Sequence, residues 1–103
     1  MKGTWTGTSS GQENGNSSAT DVTFLIDQAS GQSFSGTINY KYKDGRPGQE
    51  PIHGSIGKNG NIAIADKDGF YINGLLDNNN LSMQYIEASP KESVALNVYL
   101  QKQ

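Results

Sequence analysis

The stretch Ser33-Phe34-Ser35-Gly36-Thr37-Ile38-Asn39-Tyr40-Lys41-Tyr42-Lys43 decides the fold. Phe34, Gly36, Ile38, Tyr40 and Tyr42 alternate with Ser33, Ser35, Thr37, Asn39, Lys41 and Lys43. Strand side chains point to alternate faces, so this period of two gives one apolar row and one wetted row. At its centre lies a short pattern: bulky apolar, polar, glycine, any residue, aliphatic. The pattern returns as Ile52-His53-Gly54-Ser55-Ile56 and Ile72-Asn73-Gly74-Leu75-Leu76, with a related opening, Gly3-Thr4-Trp5-Thr6-Gly7. In each copy the glycine shares a face with the apolar residues. Glycine in the apolar row of a strand marks a tight bend or a close backbone approach. Repeated over several strands, it predicts a sheet that curls onto itself.

Working outward from this segment, the chain breaks into eight strand-like runs separated by turn signals. The first spans about 2–8. The second, about 20–27, sets Val22, Phe24 and Ile26 on one face. Between them, 9–19 reads SSGQENGNSSA and is expected to be a mobile loop, and 44–48 is read as a loop. The fourth strand, about 50–57, groups Ile52, Gly54 and Ile56. Asn59-Gly60 and Asp68-Gly69 are hairpin turns around a short fifth strand, in which Ile62 and Ile64 oppose Ala63 and Ala65. In the sixth strand the glycine-centred pattern predicts Phe70, Ile72, Gly74 and Leu76 inside. The seventh turns Leu81, Met83 and Tyr85 inward. The eighth, after Ser89-Pro90, does the same with Val94, Leu96, Val98 and Leu100.

No segment has a helical period. Short connections make consecutive strands antiparallel neighbours. The expected fold is therefore all-β: an antiparallel eight-stranded up-and-down meander closed into a barrel, forming one domain over 1–103. A two-layer β-sandwich would use the same rows and is the alternative.

Composition narrows the functional classes. The net charge is -2, too little positive field for a phosphate backbone, so no nucleic-acid partner is expected. Tyr40-Lys41-Tyr42-Lys43 interleaves rings and cations, but the two sets face opposite sides of the strand and form no stacking platform. There is no cysteine, hence no disulfide and no thiolate metal site. No apolar run approaches the length of a membrane span. Met1-Lys2 leads directly into a strand, so a secreted or periplasmic location is expected only if a signal peptide has been removed. Asn16-Ser17-Ser18 and Asn80-Leu81-Ser82 are glycosylation sequons, which matter in a secreted eukaryotic protein.

The segments Gly3-Thr4-Trp5-Thr6, Ser35-Gly36-Thr37 and Pro51-Ile52-His53-Gly54-Ser55 resemble the calycin-type barrels, lipocalins included, and most of all the avidin and streptavidin group. Those barrels open on a glycine-x-tryptophan strand and carry a Gly-Thr in the third strand. The resemblance implies a barrel with a binding role. It does not carry biotin binding: the family's pocket is walled by several tryptophans, and this chain has Trp5 alone, with Phe70 and Tyr85 as stand-ins. The family's late aspartate falls near Asn97, which the alternation points outward.

Catalytic and metal constellations are thin. His53 is the single histidine and sits on the polar face among serines, without a positioned carboxylate or an oxyanion hole. Asp66-Lys67-Asp68-Gly69 opens like a calcium loop but lacks the glutamate that closes one, and reads as a hairpin turn. No enzyme activity, cofactor or metal is expected. The predicted ligand site is one barrel mouth edged by Tyr40, Tyr42 and Tyr85, whose hydroxyls need partners when buried, for a small apolar or amphipathic molecule or a peptide. The outer face of strands five to eight is apolar at Ala63, Ala65, Tyr71, Leu75, Ile86, Ala95 and Tyr99. Contiguous exposed apolar surface marks an interface, so a homo-oligomer, or a protein-protein role as inhibitor or assembly subunit, is expected through this wall or the loops.

Overall fold

A computed structural model describes residues 1–41 and 45–103. Eight strands follow in order: β1 (Gly3–Glu13), β2 (Asn16–Ser30), β3 (Ser33–Lys41), β4 (Pro47–Ile56), β5 (Ile62–Ala65), β6 (Phe70–Asp77), β7 (Asn80–Ala88) and β8 (Ser93–Lys102). Each pairs antiparallel with the next, and β1 pairs with β8, so the meander closes and no edge remains. The closed barrel, not the sandwich, is the fold.

The alternating rows set what lies inside. Phe34 and Ile38 of β3, Ile52 of β4, Ile62 and Ile64 of β5, and Val98 and Leu100 of β8 are all buried. Trp5 fills the end where the two chain termini meet. Its indole N–H donates to the Met1 carbonyl at 2.9 Å, and the Lys102 ammonium lies 5.9 Å from its ring centroid. Aromatic packing continues along the axis: the Phe24 and Tyr71 rings meet edge-on at 5.2 Å, and Tyr71 tilts against Tyr85 at 4.6 Å.

The glycines in the inward rows make the curvature possible. A Cβ on Gly36 would collide with the backbone carbonyl of Leu25 on β2, and one on Gly7 with that of Tyr99 on β8. Gly54 lies under the ring of its cross-strand partner Phe34. At these positions backbone or ring occupies the space a side chain would take.

Pro47 and Gly48, expected in a loop, begin β4, and Asp44 of that expected loop lies outside the described residues. Two larger expectations are corrected. Residues 9–19 are not a loop. They complete β1 and begin β2 in a long hairpin that turns at Asn14-Gly15, with φ of 52° and 82°. The apolar alternation vanishes there because the inward positions are Ser9, Gly11 and Glu13 on one strand and Ser18 and Thr20 on the other, paired across the hairpin. These positions line open space rather than core. Asn14 also ties the hairpin to β8, its side-chain oxygen accepting from Ser93 N–H at 2.8 Å.

The second correction concerns β6. Tyr71 points inward, whereas Phe70 is 61% exposed. Asn73 takes a left-handed φ of 56°, and the pairing register shifts between Ile72 and Leu75. This bulge reverses the phase of the strand, so Gly74 is buried, as the pattern required, although Phe70 is not. Leu76, also expected inside, is exposed.

Gly36→Ala is expected to lower stability by about 2 kcal/mol or more in urea unfolding, because the opposing obstacle is backbone. Gly57→Ala, whose added Cβ finds its nearest neighbour at 3.4 Å, is expected to stay within about 0.5 kcal/mol of wild type. Equal effects at the two sites would contradict the role assigned to the inward glycines.

Candidate functional site

An up-and-down barrel gathers alternate turns at the same end. The turns after β1, β5 and β7, with the end of β3 and the start of β4, surround one mouth, and there the barrel opens into a cavity of about 770 Å³. Its floor is apolar, made by Val22, Ile38, Leu96 and Val98. Its wall holds Tyr40, Tyr71 and Tyr85, and hydroxyls from Ser9, Ser18 and Thr20. Carboxylates crowd it: Glu13, Glu50, Asp66, Asp68, Glu87 and Glu92, against the cations Lys41, Arg46 and Lys67.

Three of these carboxylates stand in inward rows, Glu13 of β1, Glu50 of β4 and Glu87 of β7, and the last two bond to tyrosines. Glu50 lies on β4 in the row of Ile52 and is buried. Its Oε1 accepts from the Tyr40 hydroxyl at 3.2 Å and lies 3.5 Å from the Lys67 ammonium. Burial pushes its pKa up, nearby Asp66 and Asp68 add to that, and the tyrosine bond and Lys67 oppose it. Glu87 lies on β7 in the row of Met83 and Tyr85, and its Oε1 accepts from the Tyr85 hydroxyl at 2.8 Å. Burial and a hydrogen bond with the neighbouring Glu92 carboxyl raise its pKa to about 7. The phenols respond in kind. Burial first, then surrounding carboxylates, hold the Tyr71 and Tyr85 hydroxyls above their usual range.

Asp66 has a structural task. Its Oδ1 accepts from the backbone N–H groups of Asp68 at 2.8 Å and Gly69 at 2.7 Å, closing the β5–β6 hairpin. No cluster of three or more metal-ligating side chains forms among the described residues. His53 is exposed on the outer wall, in a shallow depression of about 300 Å³ lined by Ala63, Ala65, Phe70 and Ile72. It does not line the mouth cavity.

Of the three tyrosines expected at the mouth, Tyr40 and Tyr85 line one cavity. Tyr42 lies outside the described residues. Tyr71, expected on the outer wall, lines the cavity instead, because the β6 bulge inverts the facing before it. Phe70 takes its place outside, cross-strand to Ala65 and Ile86, and Ile86 is in turn opposite Ala95. Leu75, Ile86 and Tyr99 are exposed, as is Ala63, and Ala65 is half-buried.

Sequence reading missed the inward carboxylates. The signal was present: Glu50 has the parity of Ile52, Gly54 and Ile56, and Glu87 that of Leu81, Met83 and Tyr85. An acid in an apolar row at the end of a strand marks where the row leaves the core. No protein-family model matches this chain, and no curated protein sequence matches it.

The raised Glu87 pKa fixes the sign of a pH dependence. The native state holds that proton more tightly than the unfolded chain does. The associated stability is therefore present below the ordinary carboxyl value of 4.5 and is lost as pH rises towards about 7. Thermal unfolding is expected at a higher temperature at pH 5 than at pH 8, with a smaller difference in Glu87→Gln. Circular dichroism melts at the two pH values test this, and an equal or larger difference in the variant would count against it.

Proposed function

We propose that the protein is a non-enzymatic binding module that holds a small amphipathic ligand in the mouth cavity. The supporting observation is the contrast between the two barrel ends. One is closed by Trp5 and both termini, whereas the other opens into about 770 Å³ with an apolar floor and a polar rim. That volume falls in the range of small-molecule sites, and an apolar base under a few convergent polar groups is their usual chemistry. Binding rather than catalysis is favoured because the cavity carboxylates of Glu50 and Glu87 bond to tyrosines and that of Asp66 to turn amides, and because His53 is on the outside.

The resemblance to avidin-type and other calycin barrels agrees with a ligand held within the barrel. It does not extend to biotin: Trp5 plugs the far end, Asn97 is exposed and Phe70 faces outward. If the reading is right, native mass spectrometry of the protein from a cell extract retains a small-molecule adduct. Ser18→Trp, which fills the mouth from the β2 wall, abolishes that adduct while preserving the fold. An adduct unaffected by this substitution would place the ligand elsewhere, and no adduct at all would count against the proposal.

The outer wall favours a second reading, self-association. Phe70, Leu75, Ile86 and Tyr99 are exposed on three adjacent strands, β6 to β8. The positions opposite them on those strands, Ser82 and Ala95, and the intervening Gln84 and Asn97, carry no charge. Another copy would therefore meet no like-charge repulsion at this wall. Size exclusion with light scattering at high micromolar concentration is expected to give an oligomer that Ile86→Lys converts to monomer. A monomeric wild type defeats this reading.

A further inference from the structure

We infer that the ligand of the mouth cavity is an organic cation, an ammonium group carried on an apolar or aromatic body. This deepens the binding reading above and rests on it. The strongest pointer is Tyr71. Its side chain is 94% buried, being 6% exposed, yet its hydroxyl receives and gives no hydrogen bond among the described residues, while Tyr40 and Tyr85 both have carboxylate partners. Every fully enclosed side-chain polar atom among those residues has a partner, so this hydroxyl meets the open space of the cavity. The carboxylates of Asp66, Glu50 and Glu87 share this cavity and act on the hydroxyl electrostatically. A buried phenol left open towards carboxylates is arranged for a donor that is itself positive.

The rest of the cavity fits the same chemistry. Lining carboxylates outnumber lining cations two to one, and Lys67 is already engaged by Glu50. The result is a negative field in a concave, partly desolvated space, where charge interactions are screened less than at an open surface. The Tyr71 and Tyr85 rings, packed together at 4.6 Å between centroids, add aromatic surface to the cavity lining. A bare metal ion is less suited. Asp66, Glu50 and Glu87 are held by separate partners and form no converging ligand set. The apolar floor of Val22, Ile38 and Val98 accommodates the body of an amine and has nothing to offer a hydrated ion.

Three indoles of matched size separate charge from shape: tryptamine as the cation, tryptophol as the neutral alcohol and indole-3-acetate as the anion. Each is titrated into the ¹⁵N-labelled protein at neutral pH. Tryptamine is expected to shift amide resonances of Ser18, Tyr71 and Leu96, and to bind at least tenfold more tightly than the other two. Tyr71→Phe and Glu87→Gln, both close in shape to the native side chains, are expected to weaken tryptamine at least fivefold and leave tryptophol unchanged. Tryptophol or indole-3-acetate binding at these resonances as tightly as tryptamine would overturn the cation inference and leave the mouth-pocket reading standing. If no probe shifts them, both fall. Equal losses for tryptamine and tryptophol in the two variants would also overturn the charge assignment, since they would report a general disturbance of the pocket.

Discussion

The molecule depends on hydrogen bonding between its first and last strands. β1 is registered against β2 from Gly3 to Glu13 and against β8 from Trp5 to Glu13, so one strand carries both ladders along nearly its whole length. That closure satisfies the polar backbone groups that an open meander would expose at two edges. It also demands tight curvature, and the wall curves where neighbouring backbones come close. Gly7 and Gly36 stand at two of those approaches, on either side of the β1–β2 ribbon. The glycine-centred pattern is thus a requirement of closure, with the flanking apolar residues supplying the core that rewards it.

Closure then divides the interior into two unlike halves. Around Trp5, Ile26, Ile52 and Leu81 the lumen is dry and filled. Towards the other end the same inward rows continue with Glu50, Glu87, Ser9 and Ser18. A carboxyl group turned into a partly desolvated lumen is unfavourable unless something compensates, and the tyrosine hydroxyls do so only in part, since both acids retain raised pKa values. An apolar residue at either position would simply extend the core. Local arrangements that oppose stability gather where a protein has another task, and the mouth is where this chain places them.

The strands, turns and antiparallel order were legible because most inward rows are apolar. Alternation alone gave β3, β4 and β8, and Asn-Gly and Asp-Gly dipeptides gave the hairpins. Legibility failed where that assumption failed. From Ser9 to Ala19 the inward positions are polar, so no period of two in hydrophobicity exists to detect, although Asn14-Gly15 was there as a hairpin signal. In β6 both parities are apolar, Phe70 and Ile72 against Tyr71 and Leu75, and the choice depended on a bulge at Asn73. Asparagine tolerates the left-handed backbone that such a bulge uses, but its presence alone does not announce one. Tyr40 and Tyr85 were assigned to the mouth by residue type and parity, whereas Tyr71 was not, because the bulge inverts its facing. Their carboxylate partners stayed hidden because the same parity rule was applied only to apolar residues.

Charge distribution ties the two faces of the barrel together. The charged side chains of β4 to β8 and their turns gather towards the two ends: Glu50, Asp66, Lys67, Asp68, Glu87, Lys91 and Glu92 at the open mouth, Lys58, Asp77 and Lys102 towards the opposite end. The outward residues of β7 and β8 between them, Ser82, Gln84, Ile86, Ala95, Asn97 and Tyr99, are uncharged. At the open end the lining carboxylates outnumber the lining cations. Among the described residues, the acidic lining and the open lumen therefore lie at the same end of the barrel. The inward rows turn acidic at the place where they cease to be core.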